Sequence, residues 1–472
     1  MVPERLQPLV AETAELGARF ADAGYRLYLV GGVVRDAFLN RLRPGGDLDF
    51  TTDARPDEIE RLVSGWADAI WLQGKRFGTI GLRRRDRVME ITTFRAEAYH
   101  ADSRKPDVSF ADVVEADLSR RDFTVNAMAL SVPDLTLIDP FGGTADLAAK
   151  RLRTPLDASI SFTDDPLRML RAARFIAGYE LVPDQALVDA VATMADRLSI
   201  VSAERIRDEL DKLMVVETPS LGLWFIVHTG LAAQFLPELP GLELEQDPIH
   251  RHKDVLAHTI AVVEKTSADR VLRLAALFHD VGKPKTRAFD KGDKGGVSFH
   301  HHEVVGARMT RERMRALKYP TEDIDVVSAL VELHLRFHTY QMGWTDRAVR
   351  RYVRDAGPLL DRLNELTRCD CTTRNPARAR ALARRMDELE ERIAELRAKE
   401  EIDAMRPELD GVAVMKRLGI GPGPVVGRAL GFLLDLRLDE GLLGAEEAGR
   451  RLDEWAAASG AASPTGGSAS SG

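Results

Sequence analysis

The apolar positions change rhythm along this chain, and the change divides it. In residues 1–24 they recur at helical spacing and predict an N-terminal helix. Residues 27–30 are an unbroken apolar run, the pattern of a short buried strand. Gly31 and Gly32 end that run and open a helical stretch over 33–39. After a Pro/Gly turn, Leu48 and Phe50 alternate with Asp47 and Asp49. On a strand, residues two apart share a face, so both carboxylates project side by side while Leu48 and Phe50 enter a core. Residues 56–63 predict a helix with proline near its start. Residues 78–82 and 88–92 predict two strands around the basic turn Arg83-Arg84-Arg85. Residues 94–117 are polar and turn-rich and predict a mobile loop.

From residue 117 onward the reading is helical. Arg120, Arg121 and Asp122 precede an apolar, helix-compatible run in which Asp122 and Asn126 share a face. No clear strands are expected beyond residue 147. Asp165-Pro166 predicts an N-cap followed by proline at the first helical position. Ser202 is expected to cap a helix whose buried stripe is Ile206, Leu210, Leu213 and Met214. Residues 377–399, dense in Arg, Glu and Leu, predict a long solvated helix with i,i+4 charge pairs. Small helices follow, separated by Asp410-Gly411 and Gly421-Pro422-Gly423-Pro424, and no internal repeat is present.

Composition narrows the class. At 472 residues the chain is too long for one core, so several domains are expected. A net charge of −8 offers no global basic field, so any nucleic-acid contact uses local patches such as the arginines over 347–354 and 374–385. Cys369 and Cys371, one residue apart, make no disulfide framework and fit a reducing cytoplasm. The longest uncharged segment, 218–237, is interrupted by Pro219, His228 and Gln234 and reads as a buried helix, not a membrane span; no signal-like stretch opens the chain.

Two constellations carry chemistry. Gly31-Gly32 at a helix start suits close approach of a phosphate, and Asp47 with Asp49 suits magnesium. Each motif alone is an ordinary turn or strand end; their order and spacing, with Arg35-Asp36 between, is specific. The second lies in the third quarter, where most of the chain's 11 histidines fall between His250 and His338. His252 and His258, the adjacent pair His279-Asp280 within Leu277-Phe278-His279-Asp280-Val281-Gly282-Lys283, His300-His301-His302-Glu303, His334 and His338, then Asp370, read as metal ligands with hydrolytic chemistry.

Residues 31–50 resemble the class II nucleotidyltransferases, the tRNA CCA-adding enzymes and bacterial poly(A) polymerases of the polymerase-β-like superfamily. Arg120-Arg121-Asp122-Phe123-Thr124-Val125-Asn126-Ala127-Met128 is a nearly complete match to that family's signature, and Asp139-Pro140-Phe141-Gly142-Gly143 closes the catalytic domain as the family does. The resemblance implies an α+β protein: a small mixed α/β nucleotidyltransferase head over 1–150, then a helical neck over 151–245, an HD metal-binding domain over 246–375 and a helical tail over 376–458; it does not cover the end over 459–472, whose Ala/Ser/Gly composition predicts disorder.

The family's roles carry over position by position. Asp47 and Asp49 would hold magnesium, and Glu90 is either a third acid near the metals or an exposed strand carboxylate. Gly31, Gly32 and Arg35 would hold phosphates; Arg120, Arg121, Asp122 and Asn126 would position triphosphate and ribose. Asp165 and Arg168, with Arg171 and Arg174 on the same stretch, would bind the base, although capping alone also explains Asp165. A carboxylate and a guanidinium match the polarity of cytosine and adenine and mismatch uracil and guanine. The family motif opens Glu-Asp where this chain has Asp164-Asp165, which leaves the role of Asp164 open. Asp102-Ser103-Arg104-Lys105-Pro106 resembles the family's flexible loop and favours full CCA addition. In the third quarter the resemblance is to HD-type phosphohydrolases: His258, His279, Asp280 and Asp370 fit the core ligand order, and His302 and His334 a second metal, its identity open.

The implied substrates are CTP, ATP and a tRNA 3′ end, with no membrane and no obligate protein partner. The alternatives are a poly(A) polymerase with the same head, or an HD phosphohydrolase whose head only binds nucleotide.

Overall fold

The computed structural model describes residues 6–42, 45–95, 110–244, 254–289, 297–340, 343–371, 375–400 and 405–459. The chain separates into two compact units, one built from residues 1–241 and 316–319, the other from 242–315 and 320–472. The loop segment 96–109, His250 and His252, and the tail from residue 460 lie outside the described residues.

The first unit opens with α1 (Gln7–Asp22), β1 (Leu27–Val30), α2 (Gly32–Phe38), β2 (Leu48–Thr52), α3 (Pro56–Val63), β3 (Ala69–Trp71), β4 (Thr79–Arg84) and β5 (Arg87–Thr93). There follow α4 (Val114–Ser119), β6 (Ala129–Val132), β7 (Leu137–Ile138) and α5 (Gly143–Ala148). The seven strands form one sheet in the order β3-β4-β5-β2-β1-β6-β7. Only β2 and β5 pair in parallel; all other neighbours are antiparallel. The β1 run is buried at every position, as an all-apolar strand in the middle of a sheet must be. β2 alternates as its sequence requires, with Leu48 and Phe50 buried and Asp49 exposed. On one face Tyr28, Val30, Phe94, Val114, Leu118 and Ala129 form a single core.

The helical part of this unit contains α6 (Ala158–Asp164), α7 (Leu167–Tyr179), α8 (Gln185–Met194), α9 (Ala203–Met214), α10 (Pro219–His228) and α11 (Ala232–Phe235). Four expectations change here. The run after Asp122 is a short 3-10 turn, Thr124–Asn126, leading into β6, because Ala129 to Val132 pair with β1 in the sheet interior. A two-residue parallel pair, β8 (Arg151–Leu152) with β9 (Val182–Pro183), lies beyond residue 147. The uncharged stretch 218–237 is two buried helices, broken where Gly230 takes φ +74°. Ser202 precedes α9 without a side-chain cap bond, although Ile206, Leu210, Leu213 and Met214 are buried as the spacing requires.

The second unit is α12 (Val255–Lys265), α13 (Arg270–Phe278), α14 (Lys283–Thr286), α15 (His302–Ala316), α16 (Thr321–Leu333), α17 (Asp346–Ala356), α18 (Leu360–Asp370), α19 (Pro376–Glu400), α20 (Gly411–Leu418), α21 (Pro424–Glu440) and α22 (Ala445–Ser459). A small hairpin, β10 (Ala288–Phe289) with β11 (Val297–Ser298), was not expected. The long helix α19 is not solvated all round: Met386, Leu389, Ile393 and Leu396 are a buried stripe. Its charges pair across to neighbours, as Asp387 and Glu390 do with Arg368, and along the helix Arg392 pairs with Glu395 at i,i+3. A separate small core of Val414, Ala429, Leu433, Ala448 and Leu452 joins the last three helices. Among the described residues no helix is long and apolar enough to cross a membrane, and both cysteines are free thiols.

Candidate nucleotide and metal sites

In the sheet unit the acidic residues meet at the ends of β2 and β5. Asp49 is the direct register partner of Glu90 across the parallel pair and of Val30 across the antiparallel one. Asp47 immediately precedes β2, and all three acids are exposed. Asp49 is open by area yet crowded by protein on its sheet side. That crowding raises its carboxyl above the usual carboxylate value; Arg121 opposes the shift, while Glu90 and Asp47 add to it.

Gly31, between β1 and α2, adopts φ +78° and ψ −140°, a conformation open to glycine alone. A Cβ there would lie 3.2 Å from Arg121 Nη1 and 3.6 Å from Asp49 Oδ2. The glycine therefore leaves a cradle bounded by a guanidinium and a carboxylate. Exposed carboxylate oxygens beside it are the hard donors magnesium takes, so residues and cradle fit that ion. Asp47, Asp49 and Glu90 do not themselves close into a tight three-ligand group among the described residues.

The signature arginines divide into those that face the cradle and those that brace it. Arg121 stands against Gly31, with Nη2 3.3 Å from Asp117. Arg35 turns inward: its Nη1 donates to Asn126 Oδ1 at 2.6 Å, its Nε to Asp36 at 2.9 Å, and its guanidinium lies 4.2 Å from the Tyr179 ring centroid. It is buried, so its geometry is that of a strut between α2 and α7. Asp122 is buried too and accepts from Asn126 Nδ2, from the Phe123 amide and from Arg171 Nε, the last at 2.9 Å. Burial alone would raise its carboxyl; the Arg171 guanidinium and the Asn126 amide overcome this and hold it far below the usual range.

Asp165 sits between α6 and α7. One oxygen accepts from the Leu167 amide at 3.1 Å, a capping contact, and the other from Arg205 on α9 at 2.8 Å. Arg168 donates to Ser161 Oγ at 2.9 Å and to the Arg120 carbonyl. Arg174 is paired with the buried Glu209 of α9. Arg205 and Glu209 were not singled out from the sequence. Their signal, the Glu204-Arg205-Ile206-Arg207-Asp208-Glu209 run on a helix with a buried stripe, reads as surface charge until α7 and α9 are packed together.

In the helical unit six ligand-type side chains from five elements converge. His258 lies on α12, His279 caps the C-terminus of α13 with Asp280 next, His302 begins α15, His334 caps α16 and Asp370 ends α18. His258, His279 and Asp370 form one possible ligand group, and Asp280, His302 and His334 another. His258 Nε2 is 3.2 Å from His279 Nε2 and 3.0 Å from Asp370 Oδ1. Three imidazoles are oriented alike: Nδ1 of His279, His302 and His334 each meets the carbonyl three residues earlier, at 2.7, 2.8 and 2.6 Å. The ε nitrogens are left to the cluster, as a metal ligand requires. His302 Nε2 is buried without a hydrogen-bond partner. A mixed imidazole and carboxylate set with an orphaned ring nitrogen fits a transition-metal ion.

Charge in the cluster is tightly matched. Burial would raise the carboxyls of Asp280 and Asp370, but the facing imidazoles hold both well below the usual carboxylate range. Burial would also lower His279, yet Asp280 and Asp370 raise it to about 10. Burial and the neighbouring His279 push His334 down to about 3. Lys283 follows the His-Asp pair in sequence, and its place beside Asp280 is visible only in the fold. Its Nζ is 2.7 Å from Asp280 Oδ2, within a residue that is 8% exposed.

Comparisons with known proteins match the chain domain by domain. The poly A polymerase head domain family matches residues 27–153, a probable RNA and SrmB-binding region of polymerase A matches 182–242, and the HD domain family matches 255–396. The chain is 37% identical over 356 residues to the A-adding tRNA nucleotidyltransferase of Deinococcus radiodurans, covering 73% of this chain and 80% of that one. It is 40% identical over 262 residues to the CCA-adding enzyme of Bacillus subtilis, covering 55% of this chain and 63% of that one, just under two thirds of the relative's length. The Bacillus stearothermophilus CCA-adding enzyme solved in complex with CTP shares the fold, with TM-score 0.69, 22% identity, and coverage of 98% and 100%. The Thermotoga maritima CCA-adding enzyme complexed with tRNA does so with TM-score 0.59, 19% identity and 96% coverage of both chains. With a relative matched across most of its length and three successive domain families in order, the chain belongs to the tRNA nucleotidyltransferase and poly(A) polymerase family.

Proposed function

We propose that the protein adds cytidine and adenosine to tRNA 3′ ends, completing CCA from CTP and ATP with release of pyrophosphate. The observation that carries this is the Gly31 cradle, bounded by Asp49 and Arg121 and placed beside the Asp49–Glu90 register pair. In this reading the RNA 3′-hydroxyl attacks the α-phosphorus and the β,γ-diphosphate leaves. Asp47 and Asp49 would hold magnesium, which would lower the pKa of the attacking hydroxyl and stabilise charge at the leaving oxygen. The Gly31 backbone lets the triphosphate approach closely, and Arg121, with Arg120 at its side, receives its negative charge. Asp122 is withdrawn from solvent and ties Arg171 and Asn126 into one frame, so its part is to fix the nucleotide pocket, as is that of Arg35. Asp165 and Arg168 read the base edge, and Arg205 steadies Asp165. The head extends over 1–150, the neck over 151–245, the HD domain over 246–375 and the tail over 376–458. Work on tRNA fits the cytoplasm, where two free thiols persist.

The relatives include both A-adding and CCA-adding enzymes. The loop element Asp102 to Pro106 favours full addition. A tRNA lacking its last three nucleotides, given CTP, ATP, or both, decides the matter. Two cytidines from CTP alone and CCA from the mixture support the proposal. Addition of adenosine only, and only to tRNA already ending in CC, assigns the protein to A addition; long adenosine tails on unstructured RNA assign it to poly(A) synthesis.

The six-ligand cluster supports a second reading for the helical unit: a metal-dependent phosphohydrolase acting on RNA or nucleotide phosphates, with His258, His279, Asp280 and Asp370 as core ligands and His302 and His334 completing a second position. Opening of a terminal 2′,3′-cyclic phosphate by one water to the phosphomonoester, surviving Asp47→Ala and lost in Asp280→Ala, supports it. No ring opening and no release of phosphate from a terminal monoester by the metal-loaded parent removes it.

A further inference from the structure

Asp280 faces both ligand groups at once, and one buried cation determines how. Its Oδ2 is 3.3 Å from His279 Nε2 and 3.5 Å from His258 Nε2, in the first group. Its Oδ1 is 3.4 Å from the orphaned Nε2 of His302, in the second. A carboxylate can span two positions this way or rotate to offer both oxygens to one. Rotation is restrained by Lys283, whose Nζ holds Oδ2 at 2.7 Å.

The lysine is itself placed by packing. A Cβ on Gly282 would lie 2.1 Å from the His302 carbonyl and 2.7 Å from the Gly306 amide. Only a glycine lets the start of α14 press against α15 there, and this contact sets Lys283 beside Asp280 and over the Phe299 ring, 5.7 Å from its centroid. We infer that Lys283 is a positioning residue that fixes Asp280 as a bridge between two metal positions, through its hydrogen bond to Oδ2. The inference rests on the metal reading of the six-ligand cluster.

Simple charge counting gives the opposite sign. An ammonium close to metal ligands repels a cation, so its removal should tighten binding. Orientation predicts weaker binding at the second position, because an unrestrained Asp280 can turn both oxygens to the first. The two accounts are therefore separable by direction alone.

The test counts tightly bound cobalt(II) per chain by mass spectrometry after gel filtration, in a full-length Asp47→Ala/Asp49→Ala background that lacks the head's ligands. The background protein should retain two cobalt ions and Lys283→Met one, with second-site affinity at least about tenfold weaker, the range seen when groups supporting metal ligands are removed. Lys283→Arg, which still donates to Oδ2, should return the count to two. Lys283→Leu, which likewise has no donor, gives the same reading as Lys283→Met if the methionine variant does not fold. Two cobalt ions bound with unchanged or tighter affinity in a folded neutral variant overturn the role of Lys283 while leaving the metal site standing. A background protein that binds no cobalt overturns the metal reading and this inference together.

Discussion

Asp49 and Glu90 lie directly opposite one another in the parallel pairing of β2 with β5, both exposed at the same place on the sheet. Two carboxylates so placed lend their charge to any cation between them. Glu90→Gln keeps the size and removes the charge. It should lower the rate of CMP addition about 10- to 100-fold, consistent with loss of one charged group from a reacting site, with little change in tRNA affinity. A rate within twofold of the parent, read by single-turnover addition, would make Glu90 an ordinary strand carboxylate.

The Asp122–Arg171 pair is a stability element as well as a frame for the pocket. Removing the guanidinium leaves a buried carboxylate without its ion-pair partner, on the Asn126 and Phe123 hydrogen bonds alone, a loss of about 3 kcal/mol for a broken buried pair. Arg171→Met should therefore lower the denaturant midpoint clearly. The folded-state pKa of Asp122 is depressed below its unfolded value of about 3.9, so its stabilising contribution is present above about pH 4 and is lost as the pH falls below that. The stability gap between the parent and Asp122→Asn should narrow between pH 5 and about pH 3; a constant gap in urea titrations would contradict the pairing.

Base choice should follow Asp165 and Arg168. Arg168→Ala removes a donor that suits cytosine and adenine, so the preference for CTP over UTP should fall by about one to two powers of ten in kcat/KM. Arg205→Ala, which frees one Asp165 oxygen, should produce a smaller fall of the same kind. Unchanged discrimination in both variants would assign Asp165 to capping alone.

Gly282→Ala should disturb the helical unit without touching nucleotide addition. Its Cβ would meet backbone atoms of α15 at 2.1 and 2.7 Å, which no side-chain motion relieves. Metal retention should drop and the midpoint of thermal unfolding should fall, while addition of CMP at low temperature persists. A variant with parental metal content would contradict the close packing of α14 on α15.

Much of this was legible in the residues. The alternation of Leu48 and Phe50 with Asp47 and Asp49, and the glycine pair after an apolar run, specify strand, turn and helix by period and sterics, and the structure has β1, α2 and β2 there. Pro56 to Val63 is α3 as its composition demands. What failed depended on distant partners. The run after Asp122 is helix-compatible in composition, but its end, Ala129 to Val132, is drawn into the sheet by β1. Arg35 looks like a phosphate ligand from its place after the glycines; Asn126 and Tyr179, far along the chain, turn it inward. The clustered histidines were visible as residue types. Their common orientation by carbonyls three residues back, and the grip of Lys283 on Asp280, exist only once the helices end where they do.

Nucleotide addition depends on the carboxylates of Asp47 and Asp49, and single-turnover addition of CMP to a tRNA lacking CCA, by parent and Asp47→Ala, tests this most directly. With circular dichroism and melting temperature unchanged, the variant should add nucleotide at least about a thousandfold more slowly, the scale expected when metal charge stabilisation is removed from phosphoryl transfer. Incorporation by Asp47→Ala at the parental rate would contradict it.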